Sequence, residues 1–427
     1  MRRMKILVVG GGGREHALAW KLANDSRKPE MFCAPGNAGT AALGTNLEIA
    51  ATDVDTLLEW AKANRPDLTV VGPEAPLCDG IVDRFMAAGL RVFGPTKAAA
   101  QLEGSKIFAK DVMVAAGVPT AKYARFSDAA QAKAYLREQG VPIVVKADGL
   151  AAGKGVTVAA TLEEAEKAVD EALVARAFGD AGNTVLIEEC LLGEEASILA
   201  LIDGQHIVML ASSQDHKRVF DRDEGPNTGG MGAYSPAPVV KEDLWPVIRE
   251  QVFERTLREL NRRGMTYRGV LYAGLMVTAN GPKVLEFNCR FGDPETQAIL
   301  PRWAGDLAPA LEACIEGGLH PRMVQWKPER CVCVVMAAGG YPGSYRKGDD
   351  IQGLDEAGKM RDVVVFHAGT KLDGGRVVTA GGRVLGVTAL GGDLPTAIAR
   401  AYDAAGKIRF EGAHYRRDIA GKARGAR

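Results

Sequence analysis

The sequence predicts a multidomain protein that combines the α/β and α+β classes. The chain has 427 residues, which is more than one hydrophobic core usually organises, so two to four domains are expected. Its first hundred residues alternate short apolar runs with helical patterns, and this alternation is typical of βαβ units around a mainly parallel sheet. Two-residue turn signals later in the chain indicate antiparallel hairpins.

The N-terminal part supplies the alternating elements. Strands are predicted at residues 6–9, 68–71 and 90–93, and helices at 14–22 and near 57–63. A further helix is predicted from Lys106 to Ala116, because Ser105 can cap its N-terminus and Gly117 can end it. The N-terminal part is therefore expected to form a parallel sheet, with the 106–116 helix following it.

The middle and the C-terminal part are predicted to be α+β. A capping box of Thr161 and Glu164 predicts the start of a helix. Asp203-Gly204 and Asn280-Gly281 predict two hairpins. The remaining predicted elements are a helix at 128–139, strands at 143–146 and 185–188, hairpin strands at 198–202, 206–210, 271–278 and 283–288, and, after a run of strands with turns from about 329, a helix near 396–405.

Composition and charge exclude several classes of protein. The 53 basic and 53 acidic residues balance, which argues against general binding to nucleic acid or to a membrane surface. No apolar run approaches the length of a membrane span, and the basic N-terminus lacks the apolar stretch of a signal peptide. The seven cysteines form no framework or zinc pattern and fit reduced thiols in the cytoplasm. The low aromatic content of 6% gives no sign of a large interface, so a monomer is expected.

Gly10–Gly13 lie between a predicted strand and a helix, where backbone N–H groups bind anions. A dinucleotide fingerprint is excluded because Glu15 and His16 stand where its third glycine is needed. A small phosphorylated substrate, assisted by Arg14, is one interpretation. A tight glycine turn without a ligand is an equally good one.

A second glycine-rich segment runs from Lys146 to Val156 and is not a P-loop, because glycine follows Gly153-Lys154. A hairpin with four glycines and Lys154 is suited to fold over nucleotide phosphates, with Lys146 directed at them from the strand. The alternative is a mobile surface hairpin with a solvated lysine. The density of lysine and glycine favours phosphate binding.

The segment Lys283–Arg290 alternates polar and apolar residues. With a period of two, Glu286, Asn288 and Arg290 share one strand face, and Leu285, Phe287 and Cys289 share the other. A carboxylate and an amide oxygen two residues apart suit Mg²⁺, and the arginine suits a carboxylate or an acyl phosphate. The alternative is a half-exposed strand of mixed polarity.

Two further polar segments are candidates. Asp293 follows in a tight turn and either pairs with a substrate ammonium or merely caps the turn. Residues 214–218 (QDHKR) and the loop 225–235 form a second possible anion site, and we predict that Asp215 and Lys217 are catalytic. His216 is assigned no role.

The longer motifs resemble the phosphoribosylamine–glycine ligase family, also called glycinamide ribonucleotide synthetases. The resemblance covers essentially the whole chain and rests on GREHALAW (13–20), APGNAGT (34–40), VGPEAPL (71–77), QLEGSK (101–106), KADGLAAGKGV (146–156), IEECLLGEEAS (187–197), SQDHKR (213–218), GPNTGGMGAYSP (225–236), EFNCRFGDPETQ (286–297) and VVMAAGGYPG (334–343).

This resemblance implies an ATP-grasp fold in which two subdomains clamp ATP. The expected parts are a Rossmann-like N-terminal substrate domain (1–104), an ATP-grasp large subdomain (105–121 and 192–327), a lid subdomain (122–191) and a small mixed α/β C-terminal domain (328–427). The implied reaction joins glycine to 5-phosphoribosylamine and gives glycinamide ribonucleotide, ADP and phosphate through a glycyl phosphate. No nucleic acid or membrane partner is implied.

The resemblance also implies roles for individual residues. Arg290 is expected to face the acyl phosphate, and Glu286 and Asn288 to bind Mg²⁺ (or Mn²⁺). The stretch Ala273–Met276 lacks a further acidic ligand, so ATP oxygens and water are expected to complete the metal site. ATP is assigned to Lys106, Lys146, Gly149, Gly153, Lys154, Gly155, Glu188, Glu189, Leu191 and Glu195, and the substrates to Gly11, Gly12, Gly13, Arg14, Glu15, Asn37, Pro73, Glu74 and Asp293.

Other functions are less well supported by the sequence. Another ATP-grasp ligase would share the ATP half and differ in the N-terminal pocket and around Asp293. A biotin-dependent carboxylase is disfavoured because the chain has no Met-Lys-Met carrier segment. An inactive nucleotide-binding regulator is disfavoured because Lys146, Glu286, Asn288 and Arg290 are all present.

Overall fold

The computed structural model describes residues 2–150 and 155–425. Its N-terminal part is a sheet of five parallel strands with helices on both faces, in the order β3-β2-β1-β4-β5. Alternate residues of β1 pack into two different hydrophobic cores. Ile6 and Val8 belong to one core, and Leu7 and Val9 belong to the other. The elements are β1 (Lys5–Gly10), α1 (Gly13–Ala23), β2 (Glu30–Pro35), β3 (Thr45–Asn46), α2 (Val54–Asn64), β4 (Leu68–Val71), α3 (Glu74–Asp79), α4 (Ile81–Ala87) and β5 (Val92–Phe93).

The parallel sheet confirms the predicted α/β N-terminal part and positions its loops. The chain leaves β1 at residues 11–13, β2 at 36–37 and β4 at 72–74. Because carboxyl ends of parallel strands meet at one edge, these three loops lie together, which is the usual place for a ligand in such sheets. The strand predicted at 90–93 is shorter, since only Val92 and Phe93 pair with β4.

Two consecutive helices, α5 (Lys97–Gly104) and α6 (Lys106–Ala116), connect this sheet to the rest of the chain. Ser105 separates them, and its hydroxyl accepts a hydrogen bond from the N–H of Phe108 at 3.1 Å. Gly117 ends α6 with a φ of +66°, a conformation that costs glycine little. The predicted helix 106–116 is confirmed at both ends.

Residues 123–189 form a four-stranded antiparallel sheet in the order β6-β9-β7-β8, with two helices on one face. The predicted capping box is present, since Thr161 accepts from the N–H of Glu164 and Glu164 accepts from that of Thr161. The elements are β6 (Tyr123–Phe126), α7 (Ala129–Gln139), β7 (Ile143–Ala147), β8 (Val156–Ala159), α8 (Leu162–Val169) and β9 (Val185–Glu189).

A second antiparallel sheet, in the order β11-β10-β16-β17, is the centre of residues 194–326. A π-helical turn at Arg249–Glu254 joins two of the helices that cover it. The elements are β10 (Glu194–Asp203), β11 (Ile207–Met209), β12 (Gln214–Asp215), β13 (Arg218–Phe220), β14 (Glu224–Asn227), β15 (Gly232–Ser235), α9 (Leu244–Ile248), α10 (Arg255–Arg262), β16 (Arg268–Thr278), β17 (Gly281–Asn288), α11 (Glu295–Ile299), β18 (Trp303–Ala304), α12 (Ala308–Glu316) and β19 (Gln325–Trp326).

The predicted alternation along residues 283–290 is interrupted by a bulge in β17. Glu286 lies opposite Gly274, but Val284 lies opposite Leu275, so Leu285 is an extra residue. Val284, rather than Leu285, is buried together with Phe287. The predicted place of Leu285 on the buried face is therefore wrong, whereas Glu286 and Asn288 follow the bulge and still share a face.

Three of the C-terminal strands belong to a five-stranded sheet in the order β12-β15-β20-β24-β21, and β22 and β23 pair separately with each other. Short strands from residues 214–215 and 232–235 thus extend a sheet whose other members start at residue 330. This pairing holds the polar segment 214–235 against the C-terminal part. The new elements are β20 (Arg330–Ala337), α13 (Leu354–Gly358), β21 (Val363–His367), β22 (Thr370–Asp373), β23 (Arg376–Thr379), β24 (Arg383–Gly391) and α14 (Leu394–Ala405).

Two further predictions concern membranes and cysteines. Within residues 2–150 and 155–425, no helix combines the length and the apolar character needed to cross a membrane. All seven cysteines lie in these ranges, and each has a thiol outside any disulfide.

Asp203 ties the β10–β11 turn to the end of α12. One of its oxygens accepts the N–H groups of Gln205 and His206, and the other accepts the N–H of Leu319 and contacts the His206 ring. Burial alone raises the pKa of Asp203, but these hydrogen bonds outweigh it and lower the pKa to about 2. The ionised carboxylate is therefore the form that stabilises the turn.

Asp203→Ala is expected to reduce the free energy of unfolding at pH 7 by about 2–4 kcal/mol, because buried N–H donors lose a charged acceptor. The unfolded carboxyl has a pKa of 3.8 and the folded one about 2. The stabilisation is thus present above pH 3.8 and is lost as pH falls toward 2. Urea unfolding of the variant and the wild type at several pH values measures the difference in the free energy of unfolding. Asp55→Ala, which changes an exposed aspartate, is the control. A loss that does not depend on pH would contradict this account of the turn.

Candidate functional site

Two lysines from different elements converge at one end of β7. Lys146 on β7 is buried, and its Nζ lies 3.1 Å from the carbonyl of Leu285. Lys106, the first residue of α6, donates from Nζ to the carbonyl of Gly149 at 2.8 Å. Burial lowers the pKa of Lys106, and Glu286 opposes this most strongly. The predicted phosphate-binding lysines are therefore brought together beside Glu286.

The glycine-rich segment begins at Lys146, and its Gly149 accepts a hydrogen bond from Lys106. Gly149 has a φ of +85°, and a β-carbon there would approach the Ala181 side chain to 3.1 Å. Gly155 pairs through its carbonyl with Ala147. Gly153 and Lys154, both predicted to bind ATP, lie outside the described residues.

Glu188 is a buried carboxylate between two lysines. Lys146 Nζ lies 2.9 Å from its Oε2, and Lys110 Nζ lies 3.3 Å from its Oε1. Lys110 was not among the predicted site residues, although it lies one turn after Lys106 on the same helix. Burial lowers the pKa of Lys110 to about 8 against the opposing charge of Glu188. Glu188 therefore connects α6 with the sheet of residues 123–189.

The remaining residues assigned to ATP lie between the last residue of β9 and the start of β10. Glu189 contacts Lys283 at 3.1 Å, and Leu191 is half-buried. Glu195 contacts Lys217 Nζ at 2.6 Å. This segment links the two antiparallel sheets.

Glu286 and Asn288 present oxygen atoms on one face of β17. Burial raises the pKa of Glu286, but Lys217, Lys146 and further cations outweigh it, so the net pKa is lowered. An ionised carboxylate next to an amide oxygen fits a hard divalent cation. Among the described residues, no group of three or more His, Cys, Asp or Glu is arranged to hold a metal ion. A cation held by these two side chains would therefore need further oxygen ligands, which phosphate groups and water can supply.

Arg290 joins the ATP-facing half to the N-terminal sheet. Its Nε lies 3.2 Å from Glu74, and its Nη2 lies 2.9 Å from Glu103 and 3.2 Å from the Asn288 amide oxygen. Its Nη1 donates to the carbonyl of Phe291 at 3.3 Å. Burial raises the pKa of Glu74, but Arg290, Arg14 and hydrogen bonds together outweigh it and lower the pKa to about 2. Glu103 was not predicted as a site residue.

Asp215 and Lys217 lie with other carboxylates beside Glu286. Burial raises the pKa of Asp215 to about 7, with Lys217 opposing the rise and Glu295 adding to it. The pKa of Lys217 is raised, because Glu195 and Asp215 outweigh its burial. The cluster therefore places several carboxyl groups close to the ammonium group of Lys217.

Glu295, at the start of α11, was missed by the sequence analysis. It is buried, and its Oε1 accepts the hydroxyls of Tyr272 at 2.7 Å and Ser197 at 3.1 Å. It directly follows the Asp293-Pro294 turn and lies within the motif EFNCRFGDPETQ (286–297), but no role was predicted for it.

The glycine loop after β1 is held by its own neighbours. Glu15 accepts the N–H of Gly12 at 2.7 Å and contacts the Nε of Arg14 at 2.6 Å. Asn37 donates from Nδ2 to the carbonyls of Gly11 at 2.9 Å and His367 at 2.8 Å. Glu15 and Asn37 thus fix the conformation of the loop that contains Gly11–Gly13.

Three parts of the chain meet around Asp293. Its Oδ1 accepts from Gln297 at 2.7 Å, and its Oδ2 contacts Arg383 at 3.0 Å. Arg383 also donates to the carbonyls of Gly229 and Asp293. A β-carbon on Gly12 would lie 3.6 Å from Asp293 Oδ2. A substrate ammonium at Asp293 would therefore share the carboxylate with Arg383, a C-terminal residue that the sequence analysis missed.

Three family models match the chain in order. The model described as "Phosphoribosylglycinamide synthetase, N domain" matches residues 4–103, the ATP-grasp (A) domain matches 104–296, and the C domain matches 331–422. Phosphoribosylamine–glycine ligase of Escherichia coli O157:H7 is 55% identical over 424 residues, covering 98% of this chain and 99% of that protein. The Yersinia pestis protein of the same name is 54% identical over 420 residues, covering 97% and 98%.

Solved structures agree with these matches. The crystal structure of phosphoribosylamine–glycine ligase from Thermotoga maritima has a TM-score of 0.86 and 35% identity, and the match covers 98% of this chain and 100% of that one. A Campylobacter jejuni biotin carboxylase has a TM-score of 0.72 at 17% identity, covering 96% and 92%, and this likeness shows the fold alone. The chain therefore belongs to the phosphoribosylglycinamide synthetase family and has a Rossmann-like N-terminal domain, an ATP-grasp domain and a C-terminal domain.

Proposed function

We propose that this chain, an ATP-grasp ligase, joins glycine to 5-phosphoribosylamine. ATP drives the ligation, and the products are glycinamide ribonucleotide, ADP and phosphate, as a step of purine biosynthesis de novo. The observation that carries the proposal is the position of Arg290 between the oxygen ligands on β17 and Glu74 beside the loops of the N-terminal sheet. One guanidinium thus connects the ATP half with the half proposed to bind phosphoribosylamine.

The two substrates react through an activated carboxylate. A glycine carboxylate oxygen attacks the γ-phosphorus of ATP, ADP leaves, and glycyl phosphate forms. The amine of phosphoribosylamine then attacks the carbonyl carbon, and the C–O bond to phosphate breaks. Because a free carboxylate is a poor electrophile, the phosphoryl group supplies the leaving group. Catalysis comes mainly from positioning and from stabilising charge.

In this proposal each part of the site holds one group. Lys106 and Lys146, with Gly149, Gly153, Lys154 and Gly155, hold the phosphates, and Glu188, Glu189, Leu191 and Glu195 hold adenine and ribose. Glu286 and Asn288 hold Mg²⁺ (or Mn²⁺), which neutralises phosphate charge when bound. Arg290, Lys217 and Asp215 face the reacting atoms, because all three lie around Glu286.

Phosphoribosylamine is proposed to bind at the carboxyl edge of the parallel sheet. Gly11 and Gly13 offer backbone N–H groups and Arg14 a cation to its phosphate, and Gly12, whose own N–H is donated to Glu15, lets the substrate approach the backbone closely. Glu15, Asn37, Pro73, Glu74 and Asp293 shape the pocket. Residues 122–191 are proposed to close over ATP and exclude water from the acyl phosphate.

We further propose that the chain acts as a monomer in the cytoplasm. Light scattering can test the oligomeric state, and cell fractionation can test the location.

ADP release tests the proposed reaction. The purified chain is incubated with ATP and Mg²⁺ and with glycine, with phosphoribosylamine generated in situ, with both, or with neither. ADP that forms only with both substrates, matched by glycinamide ribonucleotide in mass spectra, is the expected result. ATP binding without turnover would contradict the substrate assignment and would favour another acid and amine pair. Turnover with a different amine would do the same.

A further inference from the structure

Glu103 is a buried carboxylate whose two oxygens both serve the segment around Arg290. Its Oε1 lies 2.9 Å from Arg290 Nη2, and its Oε2 accepts the backbone N–H of Cys289 at 2.7 Å. Its side chain is only 7% exposed. Glu103 therefore fixes both the guanidinium and the backbone that carries it.

Glu74 contacts the same guanidinium in a different way. It makes one contact with Arg290, at 3.2 Å to Nε, and its side chain is 30% exposed. A substrate that enters from the N-terminal loops can therefore reach the contact of Glu74, whereas the contact of Glu103 is enclosed. Glu103 is the permanent partner of Arg290, and Glu74 is the accessible one.

The contacts of Arg290 show what Glu103 determines. A guanidinium has five N–H groups in one plane. Within the described residues, four contacts engage it, through Nε with Glu74, through Nη1 with Phe291, and through Nη2 with Glu103 and Asn288. Because Nη2 lies between Glu103 and Asn288, the carboxylate sets the rotation of the whole plane beside β17.

Charge balance alone does not account for a second carboxylate here. Glu74 already opposes the charge of Arg290, and burying another carboxylate costs desolvation. Burial does raise the pKa of Glu103, and the charge of Arg290 opposes this. Glu103 contacts both Arg290 and the backbone N–H of Cys289. Its burial is therefore better explained by the orientation that it gives to the Arg290 guanidinium.

We propose that Glu103 is a positioning residue of the ligation reaction, which holds the Arg290 guanidinium in the orientation that stabilises the reacting acyl phosphate. Glu103 touches no substrate and acts through Arg290. This inference rests on the proposed function, because the group that Arg290 faces is the acyl phosphate of that reaction.

Glu103→Gln tests the proposal with little change in shape. An amide has one acceptor oxygen, so it can serve Arg290 or the Cys289 N–H but not both. We expect kcat to fall about 10- to 100-fold, less than the roughly 10²–10³-fold loss on removing an oriented donor, because Arg290 remains but is misaligned, and we expect KM for ATP to change less than about 2-fold. ADP per glycinamide ribonucleotide should rise above one, because a poorly held acyl phosphate is lost to water.

The matched control is Glu259→Gln. Glu259 is also buried and contacts two arginines, Arg262 and Arg263, on α10, away from the site. It should leave kcat and the ADP ratio unchanged. A Glu103→Gln enzyme with wild-type kcat and an ADP ratio of one overturns the proposal. So does a kcat loss shared by both glutamine variants, since that indicates general destabilisation.

A double-mutant cycle separates positioning from other roles. In an Arg290→Lys background, Glu103→Gln should lower kcat little further, because the planar group that it orients is gone. Independent, multiplicative losses overturn the proposal. If Glu103→Gln does not fold, Glu103→Asp, which keeps the charge, takes its place in the cycle.

A crystal structure of Glu103→Gln distinguishes failure of the inference from failure of the proposed function. We expect Arg290 Nη2 to leave Asn288, whatever substrates the enzyme uses. An unmoved guanidinium overturns the role of Glu103. No turnover in the wild-type chain with glycine and phosphoribosylamine instead counts against the proposed reaction.

Discussion

Arg290→Ala is expected to lower kcat for ligation by about 10²–10³-fold, the loss typical of an oriented charge stabiliser, and to leave the Kd for ATP nearly unchanged. The guanidinium contacts Glu74, Glu103 and Asn288 rather than the lysines that face the phosphates. Titration with ATP and steady-state kinetics measure the two effects separately. Equal losses of ATP binding and of ligation would contradict the role of Arg290.

Removing Arg290 also leaves Glu103 buried without its partner, and a broken buried pair costs about 3–5 kcal/mol. Arg290→Lys keeps the charge and separates this instability from catalysis. It should fold normally and still ligate slowly, since a lysine cannot reproduce the planar contacts. The remote, exposed Arg249→Ala is the control and should keep the wild-type rate.

Lys146→Met is expected to raise KM for ATP by about 10²-fold, equivalent to roughly 3 kcal/mol and within the range of charged hydrogen bonds. The buried ammonium lies between Glu188 and the carbonyl of Leu285, so its position is fixed before ATP arrives. Methionine keeps the length of the side chain and removes its charge. Steady-state kinetics over a range of ATP concentrations measure the change.

Lys167→Met is the matched control for Lys146→Met. Lys167 lies in the same part of the chain, on α8, and its side chain is 76% exposed. It should leave KM for ATP within about 2-fold, since substitutions at exposed positions usually have small effects. An unchanged KM in Lys146→Met would remove this lysine from the ATP site.

Local signals predicted the elements that local chemistry determines. Ser105 and Gly117 bound α6 as expected, and Thr161 with Glu164 starts α8. The alternating pattern of the first hundred residues predicted the parallel sheet. These predictions succeeded because caps, turns and periodicity act within a few residues.

Other features depend on partners that are distant in sequence. The bulge at Leu285 follows from the register with β16, and β12 and β15 pair within a sheet completed after residue 330. Strand register and the choice of a pairing partner are determined by tertiary packing rather than by local propensity. The sequence therefore predicted the strand with Glu286 and Asn288 but not its interruption.

The missed site residues have the same explanation. Glu103 accepts the N–H of Cys289, which is 186 residues away, and Arg383 contacts Asp293 across 90 residues. No motif spacing indicates such contacts. Motif patterns and the resemblance to a known family predicted roles for Lys146, Glu286 and Arg290, whereas the side chains that contact them are known only from the three-dimensional structure.

Oxygen transfer from glycine tests the central claim most directly. Glycine labelled with ¹⁸O in its carboxylate is incubated with ATP, Mg²⁺ and phosphoribosylamine, and the released phosphate is analysed by mass spectrometry. An acyl phosphate requires that one carboxylate oxygen leaves with the phosphate. Every phosphate released together with a glycinamide ribonucleotide should therefore carry one ¹⁸O atom. Unlabelled phosphate formed together with product would contradict the acyl phosphate route.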